Sequence, residues 1–288
     1  MRRQAVGARF AWIVRIHERA HGSFIHGAVR GLLSGVGALR GSWYGAGRIA
    51  HLHVNILGWA GLTLLATLVF FGPTMLGTRI ESGANARAAV ALRRAATALT
   101  IAVVLLLASG VDGPAGKAFR SAAALALGVY AWAVGMVCLP VLRAARAAKP
   151  SAARPPLIAL CGWFPVLAWA DVVVATGGLQ LLDALGLAAL AGVFDQAFAT
   201  ALSYVAPALR GRTNADRAQL TARLTRGATP RTVAYNIGVV AVAVAAAGGT
   251  TLDAAGAGLA AVAWPLVIAS IATQAVMALW PVGRDAPL

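Results

Sequence analysis

From Val54 to Leu76 the chain carries no charged residue, and only Asn55, Thr63, Thr67 and Thr74 break its apolar character. A helix needs about 20 mainly apolar residues to cross the hydrocarbon core of a bilayer. The run His51 to Leu76 therefore predicts a transmembrane helix, with a polar cluster at its front end. Further apolar runs follow at about 95–111, 121–142, 156–178, 186–209, 233–250 and 257–280, each near the length a tilted span requires. The expected fold is an all-α, polytopic membrane helix bundle of about seven transmembrane helices, with six and eight as bounds, over residues 51–280. Residues 1–50 form a basic tail and residues 281–288 a short C-terminal tail.

Composition leads to the same class. With 59% hydrophobic residues, 12% charged residues and a mean hydropathy of +0.75, a water-soluble globule of 288 residues could not hide its apolar surface. The lipid bilayer is thus the first partner. The net charge of +16 sits in patches between the apolar runs, as loop charge does, with no aromatic-rich basic patch or nucleic-acid motif. No nucleic-acid partner is expected. Cys138 and Cys161 each lie inside an apolar run, which reads as packing and offers neither a disulfide framework nor a CxxC redox signature. Abundant Ala, Gly and Arg with only two Lys suits a GC-rich bacterial genome, which makes the bacterial plasma membrane the expected location.

Loop charge sets orientation, because Lys and Arg are retained on the cytoplasmic side. Loops 79–94, 143–154 and 210–231 are strongly basic, through residues such as Arg93, Arg94, Arg143, Arg146, Lys149 and Arg212. The alternate loops, marked by Asp112, Asp183 and Asp253, are nearly neutral. The basic set is therefore expected to be cytoplasmic, which starts the first span outside. The tail, with Arg2, Arg3, Arg9, Arg15, Arg19, Arg30, Arg40 and Arg48 against Glu18, then lies outside against the rule. Three accounts stand open: an eighth crossing around residues 23–45, dominance of the later loops, or descent from a longer parent. Between Phe24 and Leu39, Ile25, Val29, Leu32, Val36 and Leu39 recur at helical spacing, which predicts an amphipathic helix at the interface.

All five histidines lie in the first 53 residues. His17 and His21 are four apart and share a helix face, a spacing metals can use, with His26 nearby, although no third ligand stands at a fixed spacing. The alternative is a solvated basic helix. In the first span His51 and Asn55 share a face while His53 points away. Imidazoles and an amide in lipid need partners or a wet pocket. Either they cap the helix at the interface, or one imidazole faces the bundle interior. Deeper in the spans, Asp171 and the adjacent Asp195 and Gln196 are costly at membrane depth and must be paired, protonated or beside water. No Lys or Arg stands at that depth, so His51 or His53 is the nearest partner for Asp171. Asn236 and Gln274 suit interhelical hydrogen bonds.

The pattern H-L-H-V-N-I-L-G-W-A-G-L-T at 51–63, the following P-T-M-L-G-T-R, and G-V-F-D-Q-A-F-A-T-A-L-S-Y-V-A-P-A-L at 192–209 together resemble the membrane part of proteins related to heme-copper oxidase subunit I. The nearest likeness is to the multi-span region that actinobacterial proteins carry ahead of a multicopper-oxidase domain. The resemblance implies an outer-face heme or copper site at His51 or His53, supported by Asn55, and a helix that enters from the outside. It also implies further histidines on later helices, and none follows His53. A complete heme–metal centre is therefore absent from this chain. A second heme ligand would come from the first 26 residues, another subunit, Met75 or Met136.

No P-loop, no dinucleotide-binding glycine motif, no HExxH and no GxSxG occurs, and Glu18 and Glu81 are the only glutamates. Enzymatic hydrolysis or nucleotide-driven transport by this chain alone is not expected. Three readings stand: a degenerate subunit I-like protein holding heme or copper for electron transfer or metal handling; a proton- or cation-coupled transporter using Asp171, Asp195 and Gln196; and a non-catalytic scaffold in a membrane complex or homo-oligomer.

Overall fold

The structure, a computed structural model, describes residues 2–178, 181–248 and 253–279. The helices are α1 (Arg2–Gly35), α2 (Ser42–Met75), α3 (Ala84–Ala108), α4 (Pro114–Ala147), α5 (Arg154–Thr176), α6 (Leu182–Arg210), α7 (Asn214–Thr225), α8 (Ala228–Ala247) and α9 (Asp253–Leu279). There is no strand among the described residues. Seven of these helices, α2 to α6 with α8 and α9, are long and apolar enough to cross a membrane. The chain is a multi-pass, all-α membrane protein. Each predicted apolar run falls on one of them. The helices outrun the hydropathy signal, because hydrogen bonding carries a helix on through polar residues such as Arg93 and Arg143. The tail 281–288 lies outside the described residues, as do the predicted run ends at 250 and 280.

The chain divides into two compact units. The first contains Met1–Phe71, Glu81–Pro140 and Ala168–Leu179. Here α1 begins well before the predicted amphipathic segment and ends at Gly35, where Gly37 takes a left-handed φ of 71° and the Ala38 N–H returns to the Leu33 carbonyl. It packs against α2 and α3. Ser23, Gly27 and Gly31 of α1 meet Gly58, Asn55 and His51 of α2 in reversed order, so the two helices run antiparallel in close contact. Within α2, residues Val54–Gly61 form a π-helical segment in which the Leu62 N–H reaches back to the Leu57 carbonyl. Tyr130 of α4, almost fully buried, donates its hydroxyl to that same carbonyl at 3.0 Å.

The second unit contains Gly72–Ile80, Val141–Leu167 and Gln180–Leu288. The predicted basic loop 210–231 holds a helix of its own, α7. Thr213 and Asp216 close a capping box, each side chain bonding the other's backbone N–H at 3.1 and 3.0 Å. Leu220 and Leu224 of α7 are fully buried with Ala206, Ala152 and Ala278, while its arginines stay outside that core. In α6 a second π-helical segment, Leu190–Asp195, ends on the predicted polar pair. Gln274 of α9 donates to the Ser203 hydroxyl and the Ala199 carbonyl of α6 at 2.8 and 2.9 Å, and Trp163 of α5 donates to Asn236 of α8. Both amides thus serve as interhelical hydrogen-bonding groups.

Candidate functional site

In the first unit the front end of α2 brings His53 to Asp171 of α5. Both side chains are buried, 5% exposed each, and Nε2 lies 3.0 and 3.1 Å from the two carboxylate oxygens. Nδ1 lies 2.8 Å from the Ile49 carbonyl one turn back. A carbonyl oxygen only accepts, so Nδ1 must carry a hydrogen. If the imidazole is neutral, Nε2 then presents a lone pair to oxygens that also present lone pairs. The contact closes only when one more proton lies on this axis, either as imidazolium donating to carboxylate or as carboxylic acid donating to imidazole. The geometry thus has a place for one such proton at a buried position within a predicted span.

His51 and Asn55 sit one turn apart on the α1-facing side of α2. The His51 Nδ1–H donates to the Gly27 carbonyl at 2.9 Å, and the Asn55 amide donates to the His51 carbonyl at 2.9 Å. A β-carbon on Gly27 would overlap the Asn55 amide, and one on Gly31 would sit 3.1 Å from the His51 ring. The two glycines, four apart, form the slot in which this polar pair lies. Of the two predicted imidazole partners for Asp171, His53 meets it and His51 turns to α1 instead.

His17, His21 and His26 stand on α1, each with its Nδ1–H on the carbonyl four residues earlier. Among the described residues no three His, Cys, Asp or Glu side chains converge as a metal would require. His53 has both ring nitrogens engaged and offers none to a heme or a copper ion. His51 has Asn55 and the Gly27 carbonyl as its neighbours.

The predicted pair Asp195 and Gln196 lies in the second unit, on α6 where the π-helical segment ends. The Tyr235 hydroxyl of α8 lies 2.9 Å from both Asp195 Oδ2 and the Ala191 carbonyl. One phenolic hydrogen serves one of them. Both contacts become hydrogen bonds together when Tyr235 donates to Ala191 and a protonated Asp195 donates to Tyr235. Gln196 is 2% exposed and its Nε2 has no partner. A cavity of about 440 Å3 is lined by Asp195, Gln196, Arg231, Tyr235, Ser270 and Gln274 among others.

Sequence reasoning missed Tyr235, Gly27 and Gly31. The glycines carried a readable signal, the small-xxx-small spacing of Gly27 and Gly31 on a helix facing a span. Tyr235 carried none, because nothing in the order of residues ties it to a carboxyl 40 positions away. No protein-family model, curated protein or solved structure matches this chain.

Proposed function

We propose that this chain is a proton-coupled membrane transport protein in which His53 and Asp171 hold and release the coupled proton. One observation carries the reading: both nitrogens of a buried His53 are engaged, and its contact with Asp171 needs one shared proton. A buried ionisable pair is an expensive way to join two helices, since an apolar pair of the same volume is often as stable or more so. Ionisable groups within spans serve proton relays for this reason. The Asp195–Tyr235 arrangement adds a second carboxyl whose bonds close when it is protonated. The cavity beside it, mostly apolar with polar groups from Asp195, Gln196, Tyr235 and Gln274, has room for a small solute. The basic loops 79–94, 143–154 and 210–231 then face the cytoplasm of a bacterial plasma membrane, with His53 and Asp171 toward the outer side.

Reconstituted proteoliposomes carrying an internal pH dye test this directly. An imposed potential is expected to drive proton entry that falls at least tenfold in Asp171→Asn, which cannot carry the charge. Wild-type flux at the level of empty liposomes would remove the proposal. Kinship with oxidase subunit I would on this reading be one of ancestry, without a heme or copper step. A stoichiometric heme absorption band that vanishes in His51→Ala would replace the proton reading with the metal one.

A further inference from the structure

Arg19, Gly22, Ser23, His26 and Arg30 recur at helical spacing on one face of α1 and wall a cavity of about 480 Å3 in the first unit. Its other walls are mostly aliphatic, Val54 and Leu62 from α2 with Leu99, Ile101, Val103 and Val104 from α3, and Thr97 and Thr100 are the polar exceptions. Because α1 runs antiparallel beside α2, Arg30 stands near the His51 end. Arg19 stands about 16 Å further along, toward Leu62, well inside the predicted span. Charge at that depth requires a counter-charge.

Among the described residues none is placed to provide one. Nη1 of Arg30 is buried with no hydrogen-bond partner. Arg19 reaches only the Arg93 carbonyl, at 3.5 Å. His26 uses its Nδ1–H on the Gly22 carbonyl and keeps Nε2 free. No carboxylate pairs with either arginine among the described residues, and Glu18 lies on a neighbouring face of α1.

We infer that this cavity holds the phosphodiester headgroup of an anionic phospholipid. His26 and Arg30, one turn apart, flank the phosphate, Arg19 lies deeper along the same cavity, and an acyl chain lies along the exposed Ile101 and Val104. The walls favour a lipid over an acidic partner helix, because the cavity joins the basic face of α1 to the exposed aliphatic side chains of Ile101 and Val104, a pairing that a headgroup with an acyl chain matches and a polar helix does not.

Native mass spectrometry of the full chain in detergent, titrated with phosphatidylglycerol, phosphatidylcholine or inorganic phosphate, separates the sources. Phosphatidylglycerol is expected to be retained in preference to phosphatidylcholine, with inorganic phosphate competing weakly. Arg30→Gln should weaken retention roughly fivefold to tenfold, Arg30→Lys less, and Arg79→Gln on the loop not at all. His26→Gln carries the test if Arg30→Gln does not fold. Equal retention of both lipids, or full retention in both glutamine variants, would overturn the inference. So would full displacement by millimolar inorganic phosphate, which would make the ligand a free anion. A co-purifying acidic protein, lost in the same variants while no lipid is bound, would put a protein in the lipid's place.

Discussion

At the scale of single residues, the contact between His53 and Asp171 has asymmetric energetics. Removing one member strands a buried charge, which typically costs about 3–5 kcal/mol, whereas replacing both with apolar groups of similar volume is often neutral. His53→Leu alone and Asp171→Leu alone are therefore expected to lower the thermal midpoint of the detergent-solubilised protein sharply, and the double variant to recover most of the loss. Additive losses in the double variant would mean that the two side chains are not coupled. The recovered double variant should still carry no proton flux, which separates the structural part of the pair from its proposed function. That Asp171 needs a partner was legible in the sequence, because an ionised carboxylate is costly inside a span and the predicted spans hold no Lys or Arg at that depth. Which imidazole would supply it was not. His51 and His53 lie two apart, and only the packing of α1 on one face decides between them.

At the scale of helices, α1 and α2 approach closely because Gly27 and Gly31 leave room for Asn55 and His51. The Asn55 amide is held by the His51 carbonyl and cannot swing freely aside. Gly27→Ala is therefore expected to destabilise the α1–α2 contact by about 1–3 kcal/mol, as overpacking does. Adding Asn55→Ala should return part of that loss by clearing the overlap. Limited proteolysis of α1 together with thermal unfolding reads both effects; an unchanged Gly27→Ala protein would show that the helices do not meet there. The π-helical segments Val54–Gly61 and Leu190–Asp195 left no trace in the sequence, since a change in backbone hydrogen-bond register needs no particular side chain. Helix α7 was hidden for a different reason. Its arginines give it the composition of a cytoplasmic loop, and the core it joins is marked by little more than Leu220 and Leu224.

At the scale of the whole molecule, the spans were the most legible feature, because lipid imposes one requirement on every crossing segment: an apolar surface about 20 residues long. Leu125, Phe198 and Leu209, 74–80% exposed on the chain alone, are what that requirement looks like from outside. Sidedness follows from a separate physical rule, the retention of basic loops on the cytoplasmic face, and it can be read with two cysteines. Native Cys138 and Cys161 are 1% and 2% exposed, so they should stay silent toward a membrane-impermeant maleimide. Lys149 and Asp112 are both exposed and lie at opposite ends of α4, a helix long enough to cross the membrane. In intact cells Asp112→Cys is expected to be labelled and Lys149→Cys to be labelled only after lysis. The reverse pattern would turn the molecule over and put His53 and Asp171 toward the cytoplasm. The imposed potential sets the direction of net proton movement in either orientation, so the labelling result fixes the side from which the pair takes up its proton and leaves the loss expected in Asp171→Asn unchanged.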